Sequence, residues 1–262
     1  MNHIEDGIVA AADAQSLGGK APAYYLQPRN LLDNSDFTNA VNQRGASSYS
    51  GNFVRSIDRW LAAEGPSGSV SVKIEDGGIT FTTSGGGTVY LIQRFEKGYL
   101  DLSKQHTIVA YMADGTISFS GYIDTSEETM DGVNVTFPSG SKIKCVALYE
   151  GSYTADTLPP YVPKGYAAEL AECQRYFRKT VLHGVAETAK YIAPVNTFEP
   201  PFRIVPTITA DTIFGAPGVG GPSASNISFI VYNDFVQEIV DNNSGLTPGV
   251  LYRLYITASA DL

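Results

Sequence analysis

The chain has 262 residues and a mass of 28.1 kDa, enough for one large domain or two modest ones. With 43% hydrophobic and 17% charged residues it is not a disordered chain of the highly charged kind. Acidic residues outnumber basic ones 27 to 18, which argues against a broad phosphate-binding face, and two cysteines with three histidines leave little material for disulfides, metal ligation or acid–base chemistry.

The first residues show no basic segment followed by an apolar one, so no signal peptide is expected. No apolar run approaches the ~20 residues that cross a bilayer, so no membrane insertion is expected either. Within residues 2–16, Ile4, Ile8, Ala11 and Gln15 fall on one helical stripe, with Glu5 and Asp6 in the first turn and Gly18-Gly19 as a stop. A helix so short and so weakly apolar is unstable alone, so it either docks on a groove or sister helices or frays.

From about residue 29 the pattern becomes one of short alternating runs. Val70, Val72 and Ile74 form the first clear run, and Ile79 and Phe81 the next. Ile108, Ala110 and Met112 interleave with Val109 and Tyr111, which predicts a strand buried on both faces. Ile117, Phe119 and Gly121 follow, then Val133, Val135 and Phe137, then Ile143, Cys145, Ala147 and Tyr149 as one face of a last strand. Asp114-Gly115 predicts a type I′ hairpin, whose two central residues need positive φ. Trp60, the single tryptophan, is placed on a strand within Ile57–Leu61. Short strands at such spacing predict a β-sandwich or jelly roll.

Leu158-Pro159-Pro160-Tyr161-Val162-Pro163 predicts a stiff extended passage. Residues 164–179 then predict an amphipathic helix with Tyr166, Leu170, Cys173 and Phe177 on its apolar stripe, and Cys173 as a packed thiol. Strands follow over 191–195, 202–209, 227–232, 236–240 and 250–258, with long loops over 214–226 and 241–249. The segment 181–262 is small for an independent domain with such loops, which predicts that it buries apolar surface by oligomerising. The fold is therefore expected to be mainly β. It comprises an N-terminal segment (1–28), a jelly-roll sandwich (29–158), a proline-rich linker with a connector helix (159–180) and a small C-terminal β domain (181–262).

Chemistry is sparse. Nucleophile-elbow, phosphate-loop, H-E-x-x-H and C-x-x-C patterns are all missing from the text, so no catalytic residue, metal ligand or cofactor is assigned. Asp124, Glu127, Glu128 and Asp131 form a loose acidic stretch whose spacing misses the EF-hand, and it reads as a solvated hairpin loop. Aromatics in or near turns are the better binding signal, because a sugar ring stacks its apolar face on them. Tyr49, Tyr99, Tyr153 and Phe214 are the ligand-binding candidates, each with a loop anchor packed on the core as the alternative, and Trp60 invites the same pair of readings.

NLLDNSDFTNAVNQRG (30–45) followed by IDRWL (57–61) resembles the opening of the jelly-roll domain of many phage tail fibres and prophage tail proteins. LYEGSYTADTLPPYVPKGYAAELAECQRYFRK (148–179) looks like the hallmark of that group, a last strand, an extended passage and a helix ending in Cys-Gln-Arg-Tyr. Residues 193–210 and 251–262 are similar to the small β domain that follows, and residues 4–25 to attachment regions of such fibres. The resemblance implies a homotrimeric virion component without catalytic residues. It implies docking to other particle proteins through the N-terminal segment, C-terminal loops facing outward, and attachment to host surface glycans. Only a short segment precedes the sandwich, which favours a compact tip or short fibre. Two other functions fit the text: a purely structural decoration or adaptor subunit, and a depolymerase of surface polysaccharide. Low charge and loops rich in Gly, Ser, Thr and Asn suit neutral ligands, and three linked weak sites gain avidity.

Overall fold

A computed structural model describes residues 28–65, 68–194 and 197–260. The helix expected over residues 2–16 lies outside the described residues. The chain is mainly β, with one α-helix among the described residues.

Eleven strands precede the helix and form two antiparallel sheets. The first sheet runs β1 (Ser48–Gly51), β4 (Val70–Glu75), β5 (Gly78–Thr83), β11 (Ser141–Glu150), β7 (His106–Met112) and β8 (Ile117–Ser118). The second runs β2 (Phe53–Arg55), β3 (Leu61–Ala63), β6 (Thr88–Glu96), β10 (Met130–Pro138) and β9 (Gly121–Asp124). One buried apolar cluster lies between them, to which Val70 and Val72, Ile79 and Phe81, and Val133, Val135 and Phe137 contribute, as their period-two spacing predicts.

Four local expectations in this unit are corrected. Trp60 precedes β3 and lies outside any strand; it is core, set edge-on to Phe37, with Nε1 donating to the Asn34 carbonyl at 2.8 Å. The turn after β7 has positive φ at Gly115 but not at Asp114. Gly115 N–H bonds the Met112 carbonyl and Met112 N–H the Thr116 carbonyl, the pattern of a type I turn with a glycine bulge. The run from Ile117 to Gly121 is two strands, because the chain crosses between sheets at Phe119-Ser120.

The fourth correction concerns β11. Its register slips between Ile143 and Cys145, and one extra residue reverses the direction of every later side chain. Ile143, Val146 and Leu148 therefore share the main core, while Ala147 and Tyr149 point out of the sandwich. There they meet Val109 and Tyr111 of β7 and are covered by Tyr153, Leu158 and Tyr161. The proline passage is thus a strap across the outer face of the first sheet, fastened by a 2.9 Å hydrogen bond between Tyr161 and Ser35 hydroxyls. This covering is why β7 is buried on both sides.

Helix α1 spans Tyr166–Cys173, half the expected length. Cys173 is fully buried, but Tyr166 is exposed and Phe177 opens strand β12 (Phe177–Ala186). The ladder of β12 with β17 (Leu251–Ser259) runs unbroken from Phe177 opposite Ser259 to Val185 opposite Leu251. Its nine paired positions and the β-branched Thr180 and Val181 outweigh a further helical turn.

The C-terminal sheet is ordered β14 (Thr207–Phe214), β17, β12, β13 (Tyr191–Pro194), β16 (Val236–Asp241) and β15 (Ile227–Val231). β14 starts at Thr207, later than the expected 202, since Pro200, Pro201 and Pro206 lack the N–H a ladder requires. The two edge strands, β14 and β15, approach each other, so the sheet curls. Leu182, Ile192, Ile239, Tyr252, Leu254 and Ile256 fill its inside, with Phe198, Phe202 and Leu246 closing over them from loops. The expectation that this segment cannot shelter its own apolar residues is therefore wrong. The loops assumed to weaken it carry the aromatic side chains that complete its core.

The two units are tied by the segments that carry the resemblance. Asn34 clamps the 41–58 region through Val41 and Asp58, and its N–H donates to the buried Glu169 carboxylate at 2.6 Å. Arg59 lies 3.5 Å above the Tyr176 ring and ion-pairs with Asp33 at 3.3 Å. Arg44 bridges Asp58 at 2.6 Å and covers the Phe177 ring, and Arg203 reaches Glu96 at 2.8 Å. Asn-Ser-Asp, Asp-Arg-Trp and Cys-Gln-Arg-Tyr are in this chain the chemistry of a joint.

Candidate functional site

The four aromatic candidates are not brought together. Tyr49 is half-buried on β1, where its hydroxyl donates to Asn42 at 2.6 Å and accepts from Ala46 N–H. That is the anchoring role, and it holds the 42–46 loop. Tyr99, Tyr153 and Phe214 line three separate depressions.

Tyr99 stacks on Phe95, centroids 4.8 Å apart, beside a cleft of about 510 Å³ near the joint. Several of the polar groups there are already engaged. Asp33 holds Lys164 at 2.9 Å and Arg59, and Glu96 holds Arg203. Burial, then the Asp33 charge, pushes the Tyr99 phenol above its ordinary range.

Phe214 is 53% exposed on the outward face of the curled sheet and meets Tyr255 edge-on at 5.9 Å. Together with Pro217, Leu251 and Arg253 they border a depression of about 450 Å³. The register sets Phe214 opposite Arg253 and Val185 opposite Leu251, so exposed apolar side chains from three strands adjoin.

Tyr153 borders a cleft of about 440 Å³ where the edges of the two sheets meet, floored by Thr107 and Ile108 of β7 and by Gly121 of β9. Gly121 is required there, because a Cβ would stand 2.6 Å from the Asn134 carbonyl and 2.7 Å from the Ile108 side chain. Phe119 and Tyr122, 42% and 49% exposed, are part of its lining. His106 adds an imidazole whose Nε2 is buried and makes no hydrogen bond within the chain. Lys104 donates to Glu150 at 2.6 Å, which holds its ammonium above the ordinary value.

Sequence reasoning found Tyr153 but missed Phe119, Tyr122 and His106. Phe119 reads as the middle of an inward-facing run, and only the sheet-to-sheet crossing turns it and Tyr122 toward one cleft. The available signal was Ser-Gly beside two aromatics, a mark of a chain passing close to another backbone.

The acidic stretch runs from the end of β9 to the start of β10, and the expectation of a solvated loop fails at Asp131, which is buried on β10. Asp131 is fully buried with Lys97 at 3.0 Å, Asp124 accepts from Ser126 N–H, and Glu127 meets Arg94 at 3.2 Å. Among the described residues no group of His, Cys, Asp or Glu is arranged to hold a metal ion, and no helix is long and apolar enough to cross a membrane. In comparisons with protein-family models, curated proteins and solved structures, nothing matches this chain.

Proposed function

We propose that this chain is a homotrimeric phage tail-fibre or receptor-binding protein, a virion component that attaches to glycans on the bacterial surface. In this reading the two-sheet unit is a jelly roll of the carbohydrate-binding kind, and residues 1–28 dock it to other particle proteins. The observation that carries the reading is the set of half-exposed aromatic side chains at the borders of concave surfaces, Phe119 and Tyr122 among them, with Lys104 beside those two already paired to Glu150. Sugar rings are recognised by such surfaces, through stacking and neutral hydrogen bonds. The outward face of the curled sheet supports trimer formation, since exposed apolar patches of adjoining side chains mark contacts between proteins.

The test is to probe an array of bacterial surface polysaccharides with the fluorescently labelled full-length protein. Retention on a subset of neutral glycans is expected. Silence across the array would favour the decoration or adaptor role, and release of new reducing ends from any arrayed glycan would favour a depolymerase.

A further inference from the structure

We infer that the cleft where the two sheet edges meet binds a single neutral pyranose ring, seated on Phe119 and Tyr122. The inference rests on glycan attachment as proposed above and names its place and the charge class of its ligand. Three observations converge on it. The two exposed rings border a concavity whose volume of about 440 Å³ is at the small end for ligand sites and suits one or two sugar rings. His106, whose Nε2 is buried with no partner in the chain, belongs to the lining, so a hydrogen-bonding group beside the rings is left unspent. Lys104 is already paired with Glu150 at 2.6 Å and lies 3.8 Å from Asp101, so an anionic sugar would have to compete with two carboxylates.

The other depressions fit less well. Near Tyr99 two carboxylates, Asp33 and Glu96, are committed to the joint, and the lining is crowded with charges of both signs. Around Phe214 the lining is largely apolar and lies on a broad sheet face, as suits contact between proteins. Strand β9 is the free edge of its sheet and so offers backbone groups to an added peptide strand, but exposed rings and a buried imidazole are not what strand addition needs.

The test is saturation-transfer NMR on the full-length protein with methyl glycosides of glucose, galactose, N-acetylglucosamine and rhamnose, alongside glucuronic acid. Transfer to at least one neutral glycoside is expected. It should fall roughly tenfold in Tyr122→Ala, where a ring contact is lost, and clearly in Phe119→Ser, while Phe53→Ser, at an exposed ring on β2 away from the cleft, keeps the full signal. Both substituted rings are exposed, and an unchanged melting temperature confirms that each variant folds. Equal transfer in both cleft variants and the parent would overturn this site while leaving glycan attachment standing. A preference for glucuronic acid would overturn the neutral class. Absence of transfer from every sugar together with a silent array would overturn both the site and the proposed function, and the same NMR experiment with an unstructured heptapeptide mixture would then detect strand addition.

Discussion

Arg59 adopts a left-handed backbone, φ 72°, at a buried position, a combination that costs about 1–2 kcal/mol and needs compensation. Compensation comes from the Tyr176 ring under its guanidinium, the Asp33 carboxylate and the Arg94 carbonyl at 2.8 Å. Arg59→Ala leaves Asp33 buried with Lys164 as its remaining cation, and a loss of about 3–5 kcal/mol is expected in urea unfolding. Glu169 tests a different balance. Burial pushes its carboxyl above the ordinary 4.5, against the Asn34 N–H and the Lys164 charge, which pull it down. Between 4.5 and that raised value the native state holds more protons than the unfolded one, so this group's contribution falls as pH rises and stays low above the window. Glu169→Gln keeps an acceptor for Asn34 and removes the titration. The variant should gain stability relative to the parent between pH 4 and pH 7, measured as the difference in urea midpoints. The thiols are inert for the same reason: burial pushes Cys145 up to about 12 and Cys173 higher still. Native protein at pH 8 should take up no iodoacetamide in the time that unfolded protein labels both, as read by intact mass.

At the scale of elements, alternation and turn chemistry made most strands legible, because half-buried antiparallel strands repeat every two residues and their turns need glycine or proline. What stayed hidden depended on events that leave no period. The slip after Ile143 moved Ala147 and Tyr149 from the expected core to the face beneath the strap. Helix α1 was cut short by a ladder that sets Phe177 opposite Ser259, near the far end of the chain, which no local stripe encodes. The cleft was hidden likewise, since Phe119 and Tyr122 border it only after the chain changes sheets. Gly184 shows how tightly the curled sheet is closed. A Cβ there would stand 2.5 Å from the Ala193 carbonyl and press on Ile192, so the β12–β13 pair would have to part. Gly184→Ala should cost about 1–3 kcal/mol in the same unfolding assay.

For the whole molecule, the curled sheet's filled interior removes the need for partners to complete its core, so the case for association moves to its outside. Val185, Phe214, Leu251 and Tyr255 are exposed there, and they come from strands that the ladder holds side by side. A homotrimer that shelters this face would carry three copies of the sheet-edge cleft on one rigid body, turning a weak single-ring site into firm attachment through effective concentration. Leu251→Asp, on the surface of one copy, should leave the fold intact and disperse the assembly, as followed by size-exclusion chromatography. The direct measurement is the mass of the full-length protein by light scattering at micromolar concentration. A value three times the 28.1 kDa of one chain is predicted, whereas a stable 28.1 kDa species that still binds cell-surface glycans with full strength would contradict the account.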